Sequence, residues 1–320
     1  GDVPVLAEGD DPHALHGAWT YTISAQAENV DAAYLFTAWA LSESVQKSIG
    51  ELGGVPATWF GEPGLAARSG TLLYLHGGAW CVHLPGMYGA IAARLSAATG
   101  MRVLLVDYRL APEHRFPAAV DDCLAVYRAL VAGPTGRPRV IAGDSAGGNL
   151  ALVTLMQARD AQLPLPACAV LLSPATDISM SGPSIRYNAK ADPMFSAGAG
   201  DLLPDLYCPG LERTLPLISP LHGDWAGLPP LYFLAGSTEM LLDDSVRAHD
   251  RAQQAGTSSR IDVWPDMPHV FPLFPLVPEA KQAIRDIVAF IDEHARDAAA
   301  PDARLDPALA SGGTEAESAS

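Results

Sequence analysis

The chain has 320 residues, 49% of them apolar and 18% charged, which is enough for one large globular domain or two modest ones. Its 36 acidic side chains against 20 basic ones give a formal net charge of −16, which repels phosphate backbones and anionic lipid surfaces and excludes nucleic acid as an expected partner. No apolar run is long enough to span a bilayer. Cys81, Cys123, Cys168 and Cys208 are widely spaced with no CxxC pair, and the opening Gly-Asp-Val-Pro has neither basic patch nor apolar stretch, so the expectation is a cytoplasmic protein with reduced thiols.

In residues 1–50, aromatic and apolar side chains (Trp19, Tyr21, Tyr34, Phe36, Trp39) recur without a period, and no core strand is expected there. From about residue 70, short apolar runs alternate with longer stretches of helical spacing. The strands are expected at Thr71–Leu75, Arg102–Asp107, Arg139–Ala142, Ala167–Leu172, Leu231–Ala235 and Arg260–Trp264, and the helices at Tyr88–Thr99, Ala118–Val131, Ala146–Arg159, Ser245–Ala255 and Glu279–Arg296. This alternation predicts an α/β fold with a mostly parallel sheet and helices on both faces. Residues 178–225 break the pattern with prolines, Met180, Tyr187, Met194, Phe195 and Tyr207, and are read as an apolar covering piece, or as a long structural insertion. The tail 297–320 has too little apolar surface to pack and is expected to be disordered.

Gly143-Asp144-Ser145-Ala146-Gly147 matches G-x-S-x-G between an expected strand and an expected helix. Small residues on both sides of Ser145 permit a sharp turn that lifts the hydroxyl out of the sheet, and the helix start leaves N–H groups free for a developing oxyanion. His76-Gly77-Gly78-Ala79-Trp80, directly after the strand Thr71–Leu75, can supply further donors to join the N–H of Ala146. His76 itself reads as a brace of this loop. A serine hydroxyl also needs an imidazole to take its proton. Three histidines follow Ser145: His222 falls in the covering piece, His249 in a helix, and His269 in the loop after the last strand, where the serine–acid–histidine order of this fold requires the base. For the acid, Glu239 directly follows a strand end, while Asp243 and Asp244 precede the expected helix near Ser245, where Asp243 has a capping role available.

These residues resemble the hormone-sensitive-lipase-like (bacterial family IV) carboxylesterases of the α/β-hydrolase superfamily. The marks are the His76 loop, the elbow at Ser145, and Asp107-Tyr108-Arg109-Leu110-Ala111-Pro112-Glu113-His114 with Phe116-Pro117-Ala118-Ala119 and Asp121-Asp122 after it. The resemblance covers roughly residues 65–295 and implies a helical cap over the site. Residues 1–50 would form its N-terminal part and 178–225 its second segment, with the hydrolase core at 51–177 and 226–296. It further implies Gly78 and Ala79 with Ala146 as oxyanion donors, Gly77 shaping the turn, and Ala79 standing where the family usually has a third glycine. It favours Glu239 over Asp243 as the acid, at the family's position 30 residues before His269, although the family usually has aspartate there. The run Glu239-Met240-Leu241-Leu242-Asp243-Asp244 resembles the branch containing monoterpene lactone hydrolases.

The expected function is hydrolysis of short- to medium-chain carboxylic esters through an acyl-enzyme at Ser145, with His269 as base and Glu239 as acid. A lactone hydrolase, or an amidase or deacetylase with the same triad, is the alternative, and a non-catalytic ligand receptor on the same fold is the alternative of another class. Trp80, Tyr88, Met194, Phe195 and Tyr207 suit the acyl group, with core packing as the alternative for each; Asp144, beside the nucleophile, is grouped with this substrate-binding set. Cys81 reads as a packed small hydrophobe. No HExxH, P-loop or GxGxxG is present, so no metal or cofactor is expected. A small-molecule ester or lactone is the expected partner, and a homodimer is left open.

Overall fold

The computed structural model describes residues 47–62, 70–134, 137–195 and 199–295. Eight strands form one sheet: β1 (Lys47–Leu52), β2 (Val55–Phe60), β3 (Thr71–Leu75), β4 (Arg102–Val106), β5 (Val140–Asp144), β6 (Cys168–Leu172), β7 (Leu231–Gly236) and β8 (Ser259–Trp264). Their order is β1-β2-β4-β3-β5-β6-β7-β8, with β1 and β2 antiparallel and every pairing from β4 to β8 parallel. The helices are α1 (Pro85–Thr99), α2 (Ala118–Ala132), α3 (Ala146–Asp160), α4 (Ser184–Tyr187), α5 (Ala199–Tyr207), α6 (Leu242–Gln254) and α7 (Pro278–Ala295).

The central strands are buried on both faces, and their alternating side chains feed two cores. Leu73, Leu75 and Ile141 point into a core completed by α2, α3 and α6; Leu72, Tyr74, Val140 and Ala142 point into the one completed by α1 and α7. β3 and β5 are neighbours, yet the helix after β3 lies on one face of the sheet and the helix after β5 on the other. The loops leaving their carboxyl ends therefore diverge and open a crevice at the point where ligands bind in open α/β sheets.

The hairpin β1–β2 was not expected from the sequence, and β1 begins within the segment 1–50. Its register closes on Leu52 opposite Val55 around Gly53 and Gly54, at φ 64° and 79°. That is the two-residue Gly-Gly turn whose positive torsions match strand twist, and it was the signal available in the sequence. β1 is an edge strand with Ile49 largely exposed, so the one-sided alternation that betrays a half-buried strand is absent.

The six expected strands and five long helices are present, with ends shifted by at most three residues. The starts of α1 and α6 shift by three, and α6 begins at Leu242 and carries Asp243 and Asp244 in its first turn, with no side-chain cap on its own N-terminus. Asp243 instead accepts the N–H of Ser184 at the start of α4 (2.7 Å). The covering segment contributes α4, α5 and a short 3₁₀ turn at Pro220–His222. The tail 297–320 and most of residues 1–50 lie outside the described residues. No helix among the described residues is long and apolar enough to cross a membrane.

Candidate active site

Ser145 ends β5 and starts α3 with φ 52° and ψ −120°, a torsion pair that costs a non-glycine residue about 1–3 kcal/mol. The surroundings enforce it. The Ser145 N–H donates to Leu172 on β6 (2.9 Å), and its carbonyl accepts the N–H groups of Asn149 (3.1 Å) and Ala175 (3.0 Å). The turn is so tight that a Cβ on Gly147 would stand 2.0 Å from the carbonyl oxygen of Leu75, which is why the motif needs glycine there.

Across the crevice, the loop after β3 is bound to the elbow by one carboxylate. Asp144, fully buried, accepts the N–H of Gly77 (3.0 Å) and the hydroxyls of Tyr74 (2.9 Å) and Tyr88 (3.4 Å). Burial raises its pKa to about 6, and the three donors oppose that rise. Desolvation thus outweighs the hydrogen bonds, yet the group is still ionised at neutral pH. The N–H of Gly77 is consumed in this way and is unavailable to an oxyanion. Among the described residues, the N–H groups of Gly78, Ala79 and Ala146 have no protein acceptor. Ala79 and Trp80 both take left-handed torsions, φ 55° and 58°, which a glycine would adopt without strain. Their turn is closed by Gly78, whose carbonyl accepts the N–H of Cys81 (3.0 Å) and Val82 (2.9 Å).

His76 is buried behind this loop, its ring stacked between His83 and Tyr108 with centroids 4.2 Å away on each side. Its Nδ1–H donates to the Gly77 carbonyl (2.6 Å), and burial holds its pKa down to about 3, so it is a neutral brace. His83 is paired with Asp107 (2.9 Å). His76, His83 and Asp107 bring potential metal ligands within 4.8 Å of one another, but the two imidazoles are only 10° from parallel. Their in-plane lone pairs lie in separate planes and cannot converge on one ion, so these residues do not fit a metal. Cys81 is half-buried with a thiol pushed up to about 11, chiefly by burial, and is not a nucleophile at neutral pH.

Glu239 and His269 come from the loops after β7 and β8. His269 Nδ1–H donates to Glu239 Oε2 at 2.6 Å, and Glu239 Oε1 accepts the N–H of Gly236 (3.0 Å), so both carboxylate oxygens are occupied. Because the carboxylate can only accept, the proton sits on Nδ1 and Nε2 carries a bare lone pair; Nε2 is buried and has no protein partner. The His269 loop is pinned from β6: Ser173 Oγ accepts the Val270 N–H (3.0 Å). Asp243 lies elsewhere, bonded to Ser184 and Tyr187 at α4. His249 bonds Ser259, and His222 stands 3.6 Å from Asp177.

Ser145 opens into an apolar cleft whose walls include Ala79, Trp80, Ile178, Phe195 and Met240. Phe195, a wall of the cleft, also packs edge-on against the His269 ring, centroids 4.8 Å apart. Trp80 and Phe195 thus sit where a substrate-binding role requires. Tyr88, Asp144, Met194 and Tyr207 do not line the cleft. Tyr88 is spent on Asp144 and the His76 stack, Asp144 on the Gly77 loop, and Tyr207 is stacked behind Trp80 at 4.5 Å; Met194 faces solvent. The segment 178–225, expected as an apolar covering piece, supplies Ile178, Met180 and Ile185 to the walls, while Ile178, Ile185, Met240 and Leu241 have no spacing that marks them individually. The sequence reading missed Asp177, a buried carboxylate at the cleft wall. Burial opposes its ionisation, but hydrogen bonds from Ser179, Ser181 and Arg247 hold its pKa down to about 2.

A doubly wound sheet with a strained serine at the turn after its fifth strand defines an α/β-hydrolase. A family model described as "alpha/beta hydrolase fold" matches residues 72–273, and the chain belongs to that family. Within it, the chain is a member of the bacterial hormone-sensitive-lipase-like branch. It is 38% identical to a solved esterase from the bacterial hormone-sensitive lipase (HSL) family, with TM-score 0.75, covering 85% of this chain and 93% of that one. It is 40% identical to an acetyl-hydrolase of Streptomyces hygroscopicus over 69% of this chain and 75% of that protein. It is also 33% identical to the esterase LipU of Mycobacterium tuberculosis, over 91% of this chain and 98% of that protein.

Proposed function

We propose that the protein is a serine carboxylesterase acting on short- to medium-chain esters, with Ser145 as nucleophile, His269 as base and Glu239 as the acid that orients it. The observation that carries this reading is the His269–Glu239 bond of 2.6 Å, which leaves Nε2 bare and buried, with Phe195 packed on that imidazole and lining the cleft that holds Ser145. Ser145 Oγ makes no hydrogen bond to Nε2, and catalytic hydrogen bonds of this kind commonly tighten only in the Michaelis complex.

Nε2 takes the hydroxyl proton as Oγ attacks the ester carbonyl. The carbonyl oxygen gains the negative charge and is met by the N–H groups of Gly78, Ala79 and Ala146, which have no other acceptor. The resulting imidazolium is stabilised by Glu239 and gives its proton to the departing alkoxide. The Ser145 ester is then cleaved by water, which the same nitrogen deprotonates; the acid leaves and the serine regains its proton. The apolar walls favour an uncharged acyl group, since Asp177, the one charged wall residue among the described residues, has its oxygens occupied by Ser179, Ser181 and Arg247. Ser145→Ala is expected to lower kcat on p-nitrophenyl acetate by about 10⁴-fold or more while leaving the thermal midpoint near wild type. Retained turnover in that variant defeats the reading. A panel of p-nitrophenyl esters of increasing chain length, lactones and anilides then ranks the substrate classes.

A further inference from the structure

Glu239 is gripped by two residues that the catalytic sequence above does not use. Asn188 Nδ2 donates to the carbonyls of Ser237 (3.0 Å) and Glu239 (2.8 Å), and Asp192 Oδ2 accepts the Met240 N–H (2.7 Å). The single peptide group between Glu239 and Met240 is thereby held at both polar ends, which fixes where the Glu239 side chain leaves the backbone. Asn188 and Asp192 are each only 8% exposed. They belong to one turn, since the Asp192 N–H donates to the Asn188 carbonyl (2.9 Å). The other oxygen of Asp192 accepts the N–H groups of Met194 (2.8 Å) and Phe195 (3.1 Å), so the same carboxylate holds the aromatic ring that packs on His269.

We propose that Asn188 and Asp192 are positioning residues, a clasp that holds the Glu239–Met240 peptide and so keeps the Glu239 carboxylate in line with His269 Nδ1. The proposal rests on the reading of Glu239 and His269 as acid and base. A glutamate places its carboxylate one rotatable bond further from the backbone than an aspartate, so a small error in the peptide becomes a larger one at Oε2. Misplacement by 1 Å costs on the order of 100-fold in rate. The Glu239 carboxylate is tied from its own loop only through Gly236, and the clasp supplies the restraint from outside that loop.

The test uses Asn188→Ala, Asp192→Asn and the double variant. In Asp192→Asn the side chain can still accept the Phe195 N–H, but its amide confronts the Met240 N–H donor to donor. Sites are counted with a p-nitrophenyl phosphonate, so that kcat refers to competent protein alone. Each single variant is expected to lose about 10- to 100-fold in kcat on p-nitrophenyl acetate, with KM changed by less than about 3-fold. The double variant is expected to be little worse than the worse single one, because both act on the same peptide. The downfield proton resonance of the His269–Glu239 bond should broaden or move in all three. Unchanged kcat per titrated site, with only a lowered thermal midpoint, overturns the clasp and leaves a joint that is merely structural. If Asp192→Asn does not fold, Asn188→Ala decides by the same readouts. Full activity in the clasp variants alongside an inactive Glu239→Gln refutes the clasp alone, whereas an active Glu239→Gln refutes the acid assignment beneath it.

Discussion

Ser145 and the Gly78–Ala79 amides leave β5 and β3, which have paired neighbours on both sides, whereas Glu239 and His269 leave β7 and β8, the last two strands at one edge of the sheet. The serine side is held by close backbone approach and by one carboxylate, Asp144, that belongs to the elbow itself. The histidine side is held by side chains reaching in from elsewhere: Ser173 from the end of β6, and Asn188 and Asp192 from the segment after it. Close backbone approach occurs on both sides, since a Cβ on Gly236 would stand 2.0 Å from the Met267 carbonyl oxygen; the histidine side differs in depending also on side chains from the covering segment. This is consistent with glutamate standing in for aspartate on the histidine side without loss of the bond to His269.

The sharpest break in that comparison comes from the proposed acid. Glu239→Gln presents an amide to His269 and removes the charge that stabilises the imidazolium, so kcat is expected to fall by about 10⁴-fold. Asp243→Asn should stay within about 3-fold of wild type, because Asp243 bonds Ser184 and Tyr187 and does not reach the imidazole. Steady-state kinetics on one short ester decide it, and the reverse ranking transfers the acid role to Asp243.

On the serine side, Asp144→Ala leaves the Gly77 N–H and the Tyr74 hydroxyl buried without their acceptor. Each orphaned group costs about 1–3 kcal/mol, and the loop that carries Gly78 and Ala79 loses its tie to the elbow. A loss of about 100-fold in kcat is expected, with urea unfolding showing the stability loss in parallel. Wild-type kcat per titrated site would mean that the loop holds its shape without Asp144.

The same division explains what could be read from the sequence. The elbow, the glycine loop and the strands β3 to β8 were legible because their constraints are local: small residues at fixed spacing, and short apolar runs. The proposed base, His269, comes from chain order, and the proposed acid, Glu239, from its place at a strand end together with a family spacing. Asp144 was visible but misassigned to the substrate, because its partners Tyr74 and Gly77 lie about 70 residues away in the chain. Asn188 and Asp192 leave no mark at all, since nothing in the local sequence says that a turn in the covering segment will meet the loop after β7. Tyr88 and Tyr207 show the opposite error, in which an aromatic near a motif in sequence packs behind the cleft rather than in it.

The smallest expected effect separates the halves by pH. Each has a buried carboxyl with a raised pKa: Asp144 on the serine side, to about 6, and Asp244, to about 8, beneath the segment that follows β6. For Asp244 burial is the first cause and the nearby charge of Asp177 adds to it, while the N–H groups of Thr176 and Asp177 donate to Oδ2 and oppose the rise. An unfolded aspartate titrates near about 3.9. A carboxyl whose folded pKa lies above that value contributes stability that is fully present below about pH 3.9 and is lost as pH rises through the folded pKa. The thermal midpoint should therefore decline from about pH 4, more steeply up to about pH 6 while both carboxyls keep their protons only in the folded chain, then less steeply to about pH 8, where Asp244 ionises in place and the loss levels off. Asp177, with its pKa held down to about 2, acts in the opposite sense and matters only in strong acid. Asp244→Asn keeps an oxygen for the two amides and cannot ionise, so it should match wild type near pH 4, decline less steeply up to about pH 6 and lose the decline between about pH 6 and pH 8. Melting curves from pH 4 to 9 that run parallel for the two proteins would mean that Asp244 is ionised throughout, held by Arg247 and the two amides against its burial.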